Sequence, residues 1–87
     1  MRNSYITYVL QSNIDKGFYV GYTANLIKRI EEHNNGKVMS TKSRRPLRII
    51  YYEVCYNKAD ALHRERYLKS TYGKRYIRNR LKFYLTG

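Results

Sequence analysis

The chain has 87 residues, 43% of them hydrophobic, and 18 Lys and Arg against 6 Asp and Glu give a formal net charge of +12. This length leaves room for one domain with one small core, and apolar residues spread along the chain exclude a disordered basic tail. The charge predicts an anionic partner, with nucleic acid as the first candidate, although a ribosomal protein, an anionic membrane or high solubility alone would also fit.

The chain has a single cysteine, Cys55, which cannot form an intramolecular disulfide. No pair of cysteines is present to bind a metal, so a reducing compartment is expected. No apolar run approaches the roughly 18 residues of a membrane span, and the N-terminus lacks a signal-peptide pattern. We therefore expect a cytoplasmic protein without a membrane partner.

Two stretches rich in β-branched and aromatic residues, 5–11 and 18–22, are predicted to be strands. The polar residues 12–17 between them favour a β-hairpin. A first helix should follow, because Thr23 can cap it and Asn34-Asn35-Gly36 can end it. Its apolar side chains recur with helical spacing at Leu26, Ile27 and Ile30.

A basic loop and a third strand are predicted next. Residues 36–46 lack periodicity and concentrate Lys37, Lys42, Arg44 and Arg45. Residues 47–56 are rich in Ile, Tyr and Val, so they should form a strand, and we expect it to be the most buried strand of the sheet.

Two further helices complete the predicted order. Asn57 should cap the second helix, with Asp60 near its positive end, and the helix should run to about Thr71 before Tyr72-Gly73 breaks it. The third helix has an apolar stripe of Ile77, Leu81, Tyr84 and Leu85. The order β-β-α-β-α-α predicts an α+β fold with layered structure, in which three helices flank a three-stranded, mainly antiparallel sheet. Residues 1–87 should form this one domain.

Glu65 interrupts the apolar face of the second helix. Ala61, Leu62 and Leu68 lie three or four residues away and share that face. A buried carboxylate needs a compensating cation, so Glu65 either pairs with a nearby arginine or binds a metal ion.

Four other residues suggest a site near the hairpin. Arg29 and His33 are one helical turn apart and could hold a phosphate and exchange a proton, although both could also be solvated surface residues. Tyr8 and Tyr19 lie on paired strands, where tyrosines commonly serve packing. A glycine within a strand, Gly21, indicates a close approach beside them.

These residues together resemble the GIY-YIG endonuclease domain. The resemblance rests on Tyr8-Val9-Leu10, Tyr19-Val20-Gly21, the helix with Arg29 and His33, and Glu65 on a later helix, and it covers nearly the whole chain. Within the superfamily, the chain is similar above all to short, single-domain bacterial members of uncharacterised function. The segments that carry this likeness are Gly21-Tyr22-Thr23, Arg29 to Asn34, Arg44-Arg45-Pro46, and Ala61-Leu62 with Glu65.

The resemblance implies that Tyr8 and Tyr19 are the motif tyrosines, Arg29 the family arginine and Glu65 the metal-binding glutamate. His33 matches the histidine of several branches. The first motif lacks the family glycine, since it reads Ile6-Thr7-Tyr8, and Val20 replaces an isoleucine. An amide residue that some members carry after the glutamate is not evident.

The activity implied is metal-dependent endonuclease cleavage, with DNA repair or processing as the expected process. Glu65 would bind one Mg²⁺ or Mn²⁺ weakly without substrate, Arg29 would hold the phosphate, and Tyr8 would be the general base, helped by Tyr19 or His33. Tyr8 then needs either a lowered pKa or a hydrogen-bonded relay.

The expected partner is nucleic acid, DNA rather than RNA, bound by a monomer that a separate protein could recruit. A binding module without cleavage is the alternative function, and a ribosome-associated or protein-interaction module is a third. The basic residues expected to contact nucleic acid are Lys37, Lys42, Arg44, Arg45, Lys69, Lys74, Arg75 and Arg78.

Overall fold

The computed structural model describes residues 3–87, and its sheet has three antiparallel strands. The strands are β1 (Tyr5–Ser12), β2 (Phe18–Thr23) and β3 (Leu47–Cys55), arranged in the order β2-β1-β3. This confirms the predicted α+β class and the hairpin.

The expectation that β3 is the most buried strand is wrong. β1 lies at the centre of the sheet and pairs with both neighbours, and its residues from Thr7 to Ser12 are all buried. In β3, by contrast, Leu47 is the one buried residue. An apolar run suggests burial on both faces, but it does not reveal that the strand occupies an edge.

The helices are α1 (Leu26–Asn34), α2 (Lys58–Lys69), α3 (Thr71–Arg80) and α4 (Lys82–Thr86), and a single 3₁₀ turn spans Lys42–Arg44. Three helices were expected, and the predicted third helix, whose apolar stripe ran from Ile77 to Leu85, is divided at Leu81 into α3 and α4. Between residues 3 and 87, none of these helices is sufficiently long and apolar to cross a membrane.

The helix caps correct one prediction and confirm another. The Asn25 side chain caps α1 by accepting from the backbone N–H of Lys28 at 3.2 Å, so Thr23 is not the cap. Thr23 instead accepts from the Asn25 N–H at 3.0 Å and fixes the turn before the helix. Asn57 caps α2 as predicted, accepting from the N–H of Ala59 at 2.8 Å.

The predicted helix break at Tyr72-Gly73 is also wrong. Ser70 caps α3, and Gly73 lies in the first turn of that helix, donating its N–H to the Ser70 hydroxyl at 3.1 Å. A Cβ at Gly73 would collide with the backbone of Tyr67 and Leu68. The glycine therefore allows α3 to begin directly against the end of α2, where any larger residue would force the two apart.

The sheet is covered on both faces, because alternate residues of β1 point in opposite directions. One cluster joins Val9 and Val20 to Leu68 of α2 and Ile77 of α3. The other contains Tyr8, Leu10 and Leu47, against which Leu26 and Ile30 of α1 pack. Tyr8 thus faces α1, and its neighbour Thr7 faces α2, donating its hydroxyl to the Ala61 carbonyl at 2.7 Å.

Candidate active site

Tyr8 is fully buried, and its hydroxyl oxygen lies 2.9 Å from Nε2 of His33. Directly across the ladder from Tyr8 is Gly21. A Cβ at Gly21 would overlap the hydroxyl end of the Tyr8 ring. The missing side chain therefore lets the phenol lie over β2, which is the close approach that a glycine inside this strand predicted.

His33 is buried near the end of α1, and both ring nitrogens have partners. Its Nδ1 lies 2.8 Å from the Thr41 hydroxyl oxygen, on the side opposite Tyr8. Thr41 is itself buried, and its hydroxyl also lies within 3.4 Å of the Val38 carbonyl. The segment predicted as a basic loop thus turns inwards at Val38 and Thr41 and supplies a third member of a hydrogen-bonded chain.

Tyr19 completes a cluster of three rings. Its ring centroid lies 4.9 Å from that of His33 and 6.4 Å from that of Tyr8. It contributes packing and partial shielding from solvent, whereas the direct partner of the Tyr8 hydroxyl is His33.

Arg29 lies one helical turn before His33, as its spacing predicted. Its guanidinium pairs with Glu32 at 3.1 Å and also interacts with the Tyr8 hydroxyl. These two contacts raise the pKa of Arg29, so the guanidinium stays charged beside the phenol.

Burial and charge fix the protonation states of the pair. Burial raises the pKa of Tyr8, and the hydrogen-bond interaction with Arg29 offsets this only in part. Burial and then the positive charge of Arg29 lower the pKa of His33. Both side chains are therefore neutral near pH 7. The raised pKa of Tyr8 favours the hydrogen-bonded relay over a phenol activated by a lowered pKa.

Glu65 extends from α2, with 19% of its side chain exposed, and pairs with Lys69 at 3.2 Å. The expected alternative partner was an arginine, and the structure places a lysine one turn further along instead. Glu65 is close enough to Tyr8 for its negative charge to contribute to the raised pKa of the phenol. All five candidate catalytic residues consequently lie around one point of the sheet: Tyr8, Tyr19, Arg29, His33 and Glu65.

A metal ion at this point would depend on Glu65. Among residues 3–87, no group of three or more His, Cys, Asp and Glu gathers into a ready-made metal site. A single carboxylate fits Mg²⁺ nonetheless, because this ion keeps several waters and takes its remaining ligands from substrate phosphates. Glu65 has this character, since Lys69 is its one polar partner in the described part of the chain.

A second carboxylate, that of Glu53 in β3, is held by protein partners. Arg64 donates two hydrogen bonds to it, both at 2.7 Å, and the Tyr51 hydroxyl donates a third at 2.8 Å. The Arg64 hydrogen bonds lower the pKa of Glu53. Arg64 and Glu65 are adjacent in sequence, yet only Glu65 interacts with the Tyr8 site.

The basic residues expected to bind nucleic acid fall into two groups. Some already have protein partners: Arg44 pairs with Asp15 at 3.2 Å, Arg45 donates to the Lys42 carbonyl at 2.9 Å, and Lys69 pairs with Glu65. Among residues 3–87, the others are exposed and form no ion pair with a carboxylate: Lys37, Lys42, Lys74, Arg75 and Arg78. Their positive charges are therefore available to an anionic partner.

Sequence reasoning missed Thr41 and Glu32. Glu32 could have been found, because a carboxylate three residues after Arg29 on a helix is a recognisable pair. Thr41 lies in a segment without periodicity, and nothing in the sequence indicates that its hydroxyl returns to His33.

The fold is that of a small α+β domain in which helices cover both faces of a three-stranded antiparallel sheet. The family profile of the GIY-YIG catalytic domain matches residues 4–84. The chain therefore belongs to the GIY-YIG family, a superfamily of nucleases, which confirms the resemblance seen in the motifs.

Similar proteins are short bacterial members of this family. The chain is 39% identical over 71 residues to a UPF0213 protein of Syntrophus aciditrophicus, which covers 79% of each chain. It is 45% identical over 64 residues to a UPF0213 protein of Pediococcus pentosaceus, covering 72% of this chain and 66% of that relative. The solution NMR structure of a UPF0213 protein from Bacillus halodurans superposes with a TM-score of 0.54 at 28% identity, covering 85% of this chain and 81% of the other.

Proposed function

We propose that this protein is a metal-dependent endonuclease that hydrolyses phosphodiester bonds in nucleic acid, with DNA as the substrate. The observation that carries the proposal is the position of the Tyr8 hydroxyl, which is 2.9 Å from Nε2 of His33 and also interacts with the Arg29 guanidinium. A tyrosine needed only for packing would require neither a base nor a cation at its oxygen.

The hydrogen-bonded series of Tyr8, His33 and Thr41 can move a proton in one direction, from Tyr8 to His33. We infer that Thr41 accepts from the Nδ1–H of His33, because its own hydroxyl proton is directed to the Val38 carbonyl. This tautomer leaves the lone pair of Nε2 free to accept the proton of Tyr8. Because Tyr8 is fully buried, substrate binding must first uncover its hydroxyl. A water molecule that attacks the phosphorus can then pass its proton to the Tyr8 oxygen while Tyr8 passes its own to His33, so neither residue has to ionise beforehand.

Arg29 would bind a non-bridging oxygen of the scissile phosphate and stabilise the negative charge that grows there. Its pairing with Glu32 holds the guanidinium near Tyr8 without burying it, since 36% of the Arg29 side chain is exposed. The substrate can therefore reach this cation directly.

Glu65 would hold the divalent ion that nucleases of this family generally use. Mg²⁺ or Mn²⁺ bound there would supply Lewis-acid polarisation of the phosphoryl oxygen and stabilisation of the leaving oxygen. To bind the ion, Glu65 has to give up its ion pair with Lys69. Lys69 can move away readily, because 54% of its side chain is exposed. Lys69 would then be free to contact a phosphate.

The proposal is tested by incubating the purified protein with single-stranded, duplex and branched DNA and with RNA, in Mg²⁺, in Mn²⁺ and in EDTA. Tyr8→Phe removes one oxygen and keeps the ring, so we expect cleavage to fall about a hundredfold or more. Tyr52→Phe is the matched control, since Tyr52 pairs with Tyr8 across the sheet but is exposed and lies outside the site. Its cleavage rate should equal that of the wild type.

Two results would contradict the proposal. Cleavage by Tyr8→Phe at the wild-type rate would show that the Tyr8 hydroxyl takes no part in the reaction. Cleavage unaffected by EDTA would show that the reaction does not depend on a divalent ion. If the wild type cleaves none of the substrates yet binds them, the protein is a nucleic-acid-binding module that keeps this fold.

A further inference from the structure

A second concave surface lies on the opposite face of the sheet from Tyr8. It encloses about 580 Å³ beside α3 and α4 and includes Gln11, the residue that pairs with Phe18 of β2 and Arg48 of β3. Gln11 is three residues from Tyr8 in β1, which corresponds to about 10 Å along the strand and reverses the direction of the side chain. A ligand in this concavity is therefore separated from the candidate active site by the sheet.

Four cationic side chains surround this concavity, and its lining contains Gly87 but no Asp or Glu side chain. They are Lys16 after β1, Arg48 in β3, Arg78 in α3 and Lys82 in α4. None of the four takes part in an ion pair with any carboxylate between residues 3 and 87. None of the four charges is therefore neutralised by a direct ion pair, and in a concave surface their electrostatic fields add together.

The two guanidinium groups are held in place by neutral partners. The guanidinium of Arg48 lies 5.4 Å from the ring centre of Tyr84, and it also donates to the Gln11 side-chain oxygen at 3.4 Å. The guanidinium of Arg78 lies 5.2 Å from the ring centre of Phe18. Rings and an amide orient these groups without cancelling their charge, so little order has to be created when an anion binds.

We propose that this concavity is a second phosphate-binding site, distinct from the site of cleavage. Oriented guanidinium groups can bind phosphate oxygens in a bidentate manner, and the two lysines add charge that is not tied to one geometry. The ligand that fits is a segment of a nucleic-acid strand other than the one being cut. A free polyphosphate offers the same chemistry, and the experiment separates the two sources.

The experiment compares two double variants of equal charge. Arg78→Gln with Lys82→Gln removes two charges from the concavity, whereas Arg66→Gln with Arg80→Gln removes two from helices elsewhere. Arg66 and Arg80 are exposed and do not line this concavity. Binding of a short fluorescein-labelled oligothymidylate is measured by anisotropy in EDTA, so that cleavage does not enter. Binding of inorganic tripolyphosphate is measured by calorimetry.

If the concavity binds a strand, its variant should lose about tenfold or more in oligonucleotide affinity relative to the control variant. Its slope of log affinity against log salt should also be shallower by about 1.4, the value for two lost contacts with single-stranded nucleic acid. Loss of tripolyphosphate affinity alone would keep the site and identify a small polyphosphate as its ligand. Equal losses in the two variants with both ligands would overturn the proposal, since only overall charge would then matter.

A second pair of substitutions covers the case in which the first variant fails to fold. Lys16→Asn with Lys82→Gln leaves both guanidinium groups and their rings intact. Asparagine suits position 16, because the residue there has a positive φ of 60°. The same affinities are expected to fall, and unchanged affinities would likewise overturn the proposal. Because all readouts are of binding, they stand apart from any result on cleavage.

Discussion

Glu65→Gln should abolish cleavage while leaving the fold nearly as stable as that of the wild type. Glu53→Gln should instead destabilise the fold while leaving cleavage intact. The two carboxylates make a matched pair, because 19% of each side chain is exposed. The two carboxylates differ in the number of hydrogen bonds and ion pairs that they accept. Within residues 3–87, Glu65 has a single ion-pair partner, Lys69, whereas Arg64 and Tyr51 together donate three hydrogen bonds to Glu53.

The expected losses of stability follow from these contacts. An i,i+4 pair with an exposed lysine contributes about 0.3–0.5 kcal/mol, which corresponds to a fall in Tm of roughly 1–4 °C for a domain of this size. Charged hydrogen bonds contribute more, and with allowance for partial exposure Glu53→Gln should cost about 2–3 kcal/mol, or roughly 8–24 °C.

Thermal unfolding followed by circular dichroism measures the loss of stability. The loss of activity is measured as the cleavage rate at a temperature well below the Tm of both variants. Mn²⁺ with a substrate oligonucleotide should raise the Tm of the wild type and of Glu53→Gln but not that of Glu65→Gln, since only a ligand of the folded state stabilises it. Cleavage by Glu65→Gln at the wild-type rate would refute the metal-binding role. An equally large loss of stability in the two variants would show that Glu65 is a structural residue.

Three further predictions concern the Tyr8 site. Arg29→Ala should reduce cleavage about a hundredfold while nucleic-acid affinity changes little, because one of 18 basic residues is lost; equal losses of both would make Arg29 an ordinary phosphate contact. Gly21→Ala should displace the Tyr8 hydroxyl and lower cleavage by about a hundredfold in a protein that still folds, and wild-type kinetics would mean that the hydroxyl position is unimportant. The pKa of His33 is lowered by burial and then by Arg29, so the unfolded chain takes up this proton first on acidification. The stability contributed by neutral His33 should be complete above about pH 6.5 and decline below it, and an NMR titration of His33 with a midpoint above that pH would contradict the assignment.

The hairpin, the helices and the candidate site could be read from sequence because each has a local signal. Gly21 is unusual inside a strand, and Glu65 is unusual on an apolar helix face, so both revealed their positions without any knowledge of the fold. The helical spacing of Arg29 and His33 placed two side chains on one face. Motif resemblance then joined these separate signals into one site.

The features that sequence did not reveal depend on contacts between distant segments. β3 has the composition of a central strand, but its place at the edge is decided by the pairing of β1 with both neighbours. A glycine such as Gly73 is typical of a helix break. Its role in this fold is to leave room for the backbone of α2, which packs against it. Thr41 reaches His33 only because the intervening chain folds back, and no periodicity encodes such a return.

The location of β1 has a consequence for how the site is lost. Tyr8 lies in the strand whose amide hydrogens, paired on both sides, should exchange with solvent only when the whole molecule opens. His33 belongs to α1, which is attached to the sheet by Leu26, Ile30 and two hydrogen bonds of 2.9 Å between the Asn34 side chain and the Leu47 backbone. Release of α1 alone separates the two halves of the relay while the sheet stays intact. The relay is therefore disassembled by an opening much smaller than global unfolding, and mild denaturant should separate the two halves before circular dichroism registers any loss of the strands.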